Sequence, residues 1–547
     1  MSAAHQETSP VFILCDDYLS TLAELDPVDA GMRGLSAAFG AATDYSPDGY
    51  AARAELITRT LARLGSLPVT GEAERIAALY LRERLEAEAG WHAAGEPLCQ
   101  VRTPFGLVSE LRDSVDLLPH HTQDDWRNIA ARLSALPAMF DGWRASLEEG
   151  LRRGLAAARR QAIGEADQAD QYAFGRTHDP LIASYGSGSL AGPLASAAAT
   201  AYSAYWEVAR YLRESYAPRA SSGAEGVGPE RYVVNSRLAL GADLNPREAY
   251  EWGWDELARI ESEIAAEATQ VRAGASMAEA SAILDATEFV TGEDAFRAWL
   301  QERHDEAISR LSGVAFDIPE ELRKIEVVLV RGSASGAAYY TPPSEDLTRP
   351  GQTWWPLGGR TERFTTWNEL TVVFHEGVPG HHLQDGGTVV TPSLSRFARN
   401  SLVSGHCEGW ALYAERLADE LGWFSARGTR LGMLAASATR AARVVIDIGV
   451  HLDLPLPDGS RWSFAKACEV LRERGRIEEY RLVPEVTRYF GWPGQAPSYK
   501  LGERAWLAAR ASASRKPDFD LKRWHTAALR LGPLGLGSLT EELERIG

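Results

Sequence analysis

The segment TTWNELTVVFHEGVPGHHLQ, residues 365–384, places His375, Glu376, His381 and His382 within eight consecutive positions of a chain that has 12 histidines. Two imidazoles and a carboxylate are a donor set for zinc, and a glutamate next to a ligand histidine can take a proton from a metal-activated water. The usual arrangement sets two histidines one helical turn apart, so that both reach one ion. Here the fourth residue after His375 is Pro379, and the next histidine is His381. On an undistorted helix His381 would be rotated from His375 by about 240° and displaced by roughly 9 Å. Zinc–nitrogen bonds are only about 2.0–2.1 Å long. A shared ion therefore requires the helix to bulge or break, and Pro379-Gly380 are residue types that allow it. His382 would return to the face of His375, but about 10.5 Å along the axis. The spacing favours His381 and leaves His382 as the alternative. The bland alternative for the whole segment is a Gly/Pro-broken loop of hydrogen-bonded histidines that binds nothing.

A third ligand is sought in SGHCEGWALYAERLADELGWF, where Cys407, Trp410, Ala411, Ala414, Leu417 and Leu421 form a helical stripe. Glu408 would complete a His2Glu site with one position open for water, and Glu415, two turns on, competes with it. Glu376 is the candidate general base. Asp447 is the candidate outer partner for a ligand imidazole, whose second nitrogen normally donates to an oxygen.

These residues need a helical frame. Ala, Leu, Arg and Glu recur at helical spacing and strand-like alternation is rare, so the expected fold is mainly α with a small β element at about 325–360. Thr365 or Thr366 is placed to cap the helix leading to His375, with Leu370, Val373 and Phe374 buried. The pattern from Asp124 to Ile163 reads as a long helix that Pro137 should kink or divide. In DLNPREAYEWGWDELARIESEIAAEA, Asn245, Pro246 and Glu248 mark a helix start, and Tyr250, Trp254, Leu257, Ile260 and Ile264 form its buried stripe. IEVVLVR, 325–331, is the clearest strand and could pair with an extended substrate. Pro, Gly and Ser concentrate at 216–230, which predicts two lobes, 1–225 helical and 226–547 catalytic. GSGSLAG at 186–192 does not satisfy G-x-S-x-G, so serine hydrolysis finds no support.

The whole-chain numbers exclude other functions. A length of 547 residues allows a large core, and the net charge of −18 offers no basic footprint for nucleic acid or anionic membranes. The first residues have no basic leader, no stretch reaches a membrane span, and the cysteines at 15, 99, 407 and 468 form no CxxC. These features predict a cytoplasmic chain with reduced thiols, no nucleic-acid partner and no membrane partner.

Four motifs, HEGVPGHHLQ at 375–384, EGWALYAE at 408–415, RAARVVIDIGVH at 440–451 and PGQAPSYKLG at 493–502, carry a resemblance over nearly the whole chain. The sequence resembles a bacterial family labelled domain of unknown function 885, which is distantly similar to helical zinc-dependent metallopeptidases with a variant HExxPGHxxQ motif. The resemblance implies a large two-lobed, zincin-like fold with its small sheet beside the metal site. It also implies one Zn2+ held by His375, His381 and Glu408, with Glu376 as base. Many members look like lipoproteins with an export leader, from which this sequence departs.

Around that centre Tyr499 is a candidate donor to an oxyanion. Lys500 or Arg443 is a candidate for holding a substrate carboxylate, and Gln495 and His451 are further substrate-side candidates. Arg443, Asp447 and His451 could equally form a structural ladder along one helix face. The expected function is hydrolysis of short peptides or peptide-like amides. A zinc hydrolase of esters or small-molecule amides and a non-catalytic helical binding protein with a structural metal are the alternatives.

Overall fold

Helical periodicity with local caps builds most of the chain. The computed structural model describes residues 9–546 apart from 36–38, 221–224 and 332–336, so part of the 216–230 stretch lies outside the described residues. The fold is mainly α with small sheets. Helix α1, Gln123–Arg152, starts at a reciprocal Thr122–Asp125 capping box and runs through Pro137 without dividing. It ends instead where Gly154 takes φ 75° and Leu155 N–H bonds back to the Gly150 carbonyl. A left-handed residue ends a helix fully, whereas an internal proline removes one bond. Helix α2, Arg159–Phe174, follows separately.

Two buried apolar clusters form. The smaller draws on Val28 and on residues between Tyr45 and Ala220, including Trp143 and Tyr205. The larger takes Val11, Tyr18, Tyr80 and Leu85 from the first helices and continues from Tyr232 to Leu543. In the larger cluster, α3 (Pro246–Val271) begins as its sequence predicts, with the Asn245 side chain accepting from Glu248 N–H at 3.3 Å. Tyr250, Leu257, Ile260 and Ile264 are buried, while Trp254 is only partly so.

Helix α4, Glu293–Leu311, backs the β region. Strands β1 (Phe289–Thr291) and β5 (Arg363–Thr365) pair antiparallel. Strands β2 (Ile325–Val330), β3 (Tyr339–Thr341) and β4 (Gly351–Pro356) form a second sheet in the order β2-β4-β3, parallel between β2 and β4 and antiparallel between β3 and β4. β2 is thus an edge of its sheet, but β3 is the edge that touches the histidine segment: the Tyr340 hydroxyl lies 2.9 Å from His382 Nδ1.

Six further helices carry the site: α5 (Leu370–Glu376), α6 (His381–Val390), α7 (Ser404–Glu420), α8 (Thr429–His451), α9 (Glu479–Gly491) and α10 (Ser498–Ala513). Neither Thr365 nor Thr366 caps α5, which begins at Leu370; Thr365 donates to Asn368 instead. Helix α8 is buried almost all round, with Val444, Val445, Ile446 and Ile448 fully covered. α7 and α10 cross where a Cβ on Gly409 would come 2.4 Å from the Gly502 Cα. That close approach brings Glu408 on one helix beside Tyr499 on the other.

Candidate metal centre

The predicted interruption between His375 and His381 is complete. α5 ends at Gly377 (φ −98°, ψ −132°) and α6 starts after Gly380 (φ −77°, ψ −131°), both far from helical ψ. A Cβ on Gly380 would stand 2.0 Å from the His375 carbonyl oxygen, and one on Gly377 2.3 Å from His304 Nδ1. Only residues without a side chain let the backbone fold back so closely. The turn is pinned by Gly380 N–H donating to Phe374 O at 3.0 Å and by the Trp410 indole donating to Pro379 O at 2.8 Å.

Folding back sets the His375 and His381 rings 4.9 Å apart and nearly perpendicular, at 89°. Glu408 Oε2 lies 3.4 Å from His375 Nε2 and 3.6 Å from His381 Nε2. One donor atom from each of the three residues falls within 4.8 Å of the others. Ligands at about 2.0–2.1 Å around a tetrahedral ion stand roughly 3.3 Å from one another, and the two Glu408–histidine separations are close to that. Glu408 Oε2 is also buried without a hydrogen-bond partner. A buried carboxylate oxygen in that condition is costly unless a cation meets it.

The surrounding charges are arranged to keep that acceptor ionised. Burial alone would raise the Glu408 carboxyl, but His375 and His381 outweigh it and hold it well below the usual carboxylate range. Burial would likewise lower His375, yet Glu408 and Glu415 hold it above the ordinary histidine value. Glu376 is buried beside the same atoms, and burial, with Glu408 adding to it, pushes its carboxyl up against the pull of His375 and His381.

The outer partners differ from the expectation. Asp447 does not reach a ligand histidine: it accepts from the Tyr232 hydroxyl at 2.8 Å and from Gly494 N–H at 3.0 Å. α8 turns Arg440 toward the centre, and Asp447 lies two turns further along, about 10 Å away on the axis. The carboxylate on His375 Nδ1 is Glu415, at 2.8 Å, itself accepting from the Thr371 hydroxyl and facing Arg440 Nη2 at 3.9 Å. Glu415, weighed from sequence as a rival ligand, therefore orients one. The signal was present, since Glu408 and Glu415 are seven residues apart on one helix face. His381 Nδ1 lies 3.3 Å from Asp385, its i+4 neighbour. His382 faces away: Nε2 donates to Leu322 O at 2.9 Å and Nδ1 meets the Tyr340 hydroxyl, while burial lowers its pKa to about 4.

Replacing Glu415 by Gln should lower zinc affinity by about 10–100-fold, the usual effect of losing an outer carboxylate. Competition with a chromophoric chelator measures it, and an unchanged affinity would remove Glu415 from this role.

On the substrate side the predicted residues divide. The Tyr499 hydroxyl faces the Glu408 carboxylate, and the Arg443 guanidinium sits 4.6 Å from the Tyr499 ring centroid. Lys500 is not available to a substrate: its buried Nζ is bound to Glu256 at 2.9 Å, to Ser437 at 3.1 Å and to Glu503. A buried lysine is stable only when paired in this way. His451 is also taken up, with Nε2 donating to Tyr489 O at 2.9 Å and Nδ1 accepting from Val227 N–H. Gln495 accepts from Arg488 and lies 3.4 Å from Ser404 Oγ. Arg488 and Glu485 complete this group and carried no sequence signal, because α9 reads as an ordinary amphipathic helix.

Comparison with known proteins gives a family and a fold. Residues 27–543 match the profile of a family described as "Bacterial protein of unknown function (DUF885)". No curated protein matches the sequence. The crystal structure of a "putative lipoprotein" from Colwellia psychrerythraea superposes with TM-score 0.82 at 21% identity, over 98% of this chain and 99% of that one. A "putative lipoprotein of unknown function" from Shewanella oneidensis does so with TM-score 0.75 at 16% identity, over 97% and 98%. Likeness at these identities concerns the fold alone. No helix among the described residues is long and apolar enough to cross a membrane.

Proposed function

We propose that this chain, which belongs to the bacterial family of unknown function DUF885, is a zinc-dependent hydrolase of short peptides or peptide-like amides with a zincin-like, two-lobed architecture. The observation that carries the reading is the convergence of His375, His381 and Glu408 on one point, with Glu408 Oε2 buried and unpartnered. His375, oriented by Glu415, His381 and Glu408 would hold the ion and leave a position open. When bound there, zinc supplies Lewis acidity that activates water and polarises a carbonyl. Glu376, next in sequence to His375 and buried at the same centre, takes the proton from the attacking water. Tyr499, whose hydroxyl faces Glu408, donates to the oxygen on which charge develops.

The compartment we assign is the cytoplasm, supported by four buried cysteines without a disulfide. The lipoprotein names of the two structural relatives favour an exported, anchored alternative, and recovery of the native protein in a membrane fraction would reject the cytoplasmic assignment.

Metal analysis of protein purified without chelator and dialysed against zinc should find about one ion per chain. Chelation should lower the melting temperature, since an ion that binds only the folded state stabilises it by mass action. Protein that stays largely metal-free after supplementation would overturn the reading. A panel of dipeptides, tripeptides and esters then separates amide from ester hydrolysis.

A further inference from the structure

Behind Tyr499 lies a buried group that metal binding does not use. Arg443 on α8 donates from Nε to the Tyr489 hydroxyl at 3.0 Å and from Nη2 to Glu485 Oε2 at 3.0 Å. Arg488 on α9 donates from Nη2 to the same Glu485 oxygen at 2.9 Å and from Nη1 to Gln495 Oε1. The Tyr489 hydroxyl also donates to Glu485 Oε2, at 2.6 Å. Two guanidiniums thus share one carboxylate, and one oxygen of it accepts all three bonds. Each guanidinium offers five N–H donors, and these contacts engage two from each.

Charge does not balance here. Arg443 and Arg488 are buried and permanently protonated. Asp447 is the next acid toward Arg488, but its hydrogen bonds run to Tyr232 and Gly494 instead, and burial pushes its carboxyl up to about 7. A buried cation without a full counter-ion is costly, and an arriving carboxylate would relieve that cost through charge-assisted, bidentate bonds.

The position relative to the metal centre completes the case. Glu408, Tyr499 and Arg443 lie in sequence, with the Tyr499 hydroxyl facing Glu408 and the guanidinium 4.6 Å from the ring centroid. Tyr499 and Gln495, which contact Arg443 and Arg488 respectively, are partly exposed. We propose that Arg443 and Arg488 form a subsite for the C-terminal α-carboxylate of a peptide, directing cleavage to a bond near that end. The proposal rests on the hydrolase reading above for its cleavage step, while its binding step stands without it.

The test measures binding by calorimetry to the zinc-loaded full chain carrying Glu376→Gln. The probes are Gly-Gly-Phe, its C-terminal amide, and Gly-Gly-Glu amide, whose only carboxylate is a side chain; cleavage of the first two is followed with the unaltered protein. The free acid should bind at least about tenfold more tightly than its amide, as expected for a charge-assisted pair. Arg443→Gln and Arg488→Gln should each bring that ratio close to one while amide binding is retained. A ratio near one in the parent protein, or a ratio kept in both variants, overturns the subsite. Gly-Gly-Glu amide binding as tightly as the free acid overturns the C-terminal assignment. Should Arg443→Gln fail to fold, the parent ratio and Arg488→Gln decide. A strong acid preference with no cleavage of either peptide would support the subsite and count against the hydrolase reading alone.

Discussion

Glu376→Gln is expected to keep its zinc and to lose about 10²–10⁴-fold in kcat, the range a positioned general base contributes. Gln matches Glu in size, and the three candidate ligands do not include Glu376, so metal content should stay at the unaltered level. The amide cannot accept the proton, so the loss should fall on kcat far more than on KM. Burial also raises the Glu376 carboxyl, which brings its basicity nearer to the working pH. Zinc content and single-substrate kinetics on a peptide the protein cleaves are the two measurements required. Full activity with bound zinc would remove Glu376 from the base role, and loss of zinc would mean that it acts as a ligand.

His381→Ala should release the metal, and His382→Ala should not. His381 presents Nε2 to the same Glu408 oxygen as His375, at 3.6 Å, so its removal takes away one of three candidate ligands. The affinity loss should exceed the roughly 100-fold that follows removal of an outer partner. His382 has both ring nitrogens occupied, by the Leu322 carbonyl and the Tyr340 hydroxyl. Its removal leaves buried polar groups unpaired, at about 1–3 kcal/mol each, and should lower the melting temperature with zinc retained. Metal analysis and thermal melts on both variants give the comparison. Zinc retained in His381→Ala and lost in His382→Ala would reverse the assignment.

Part of this site was legible in the chain. The density of histidine around Glu376, the abnormal spacing and the Pro-Gly pair between the histidines already called for a broken helix if His375 and His381 share an ion. Covalent geometry and helix pitch act locally, and the sequence contains all that they need. The mainly helical class and the strand at 325–330 were readable for the same reason, through periodicity and β-branched composition. Pro137 does not divide its helix, because an internal proline removes one bond, whereas Gly154 in a left-handed conformation ends it.

The roles of charged residues on buried helices were not legible. Lys500, Arg443, Asp447 and His451 had the right types, yet which of them meets a substrate depends on what the opposing helix presents. Lys500 meets Glu256 and Glu503, and Asp447 meets Tyr232, and each is thereby occupied. Arg443 meets a carboxylate already shared with Arg488. What the amino-acid order dictates alone is conditional: His375 and His381 can share an ion only across a bend, because helix pitch separates them too far otherwise. That Glu408 meets them, that Glu415 orients His375 and that His382 turns away follows from packing between helices. These choices rest on how α5, α6 and α7 cross, and the pitch of any one helix says nothing about its neighbours.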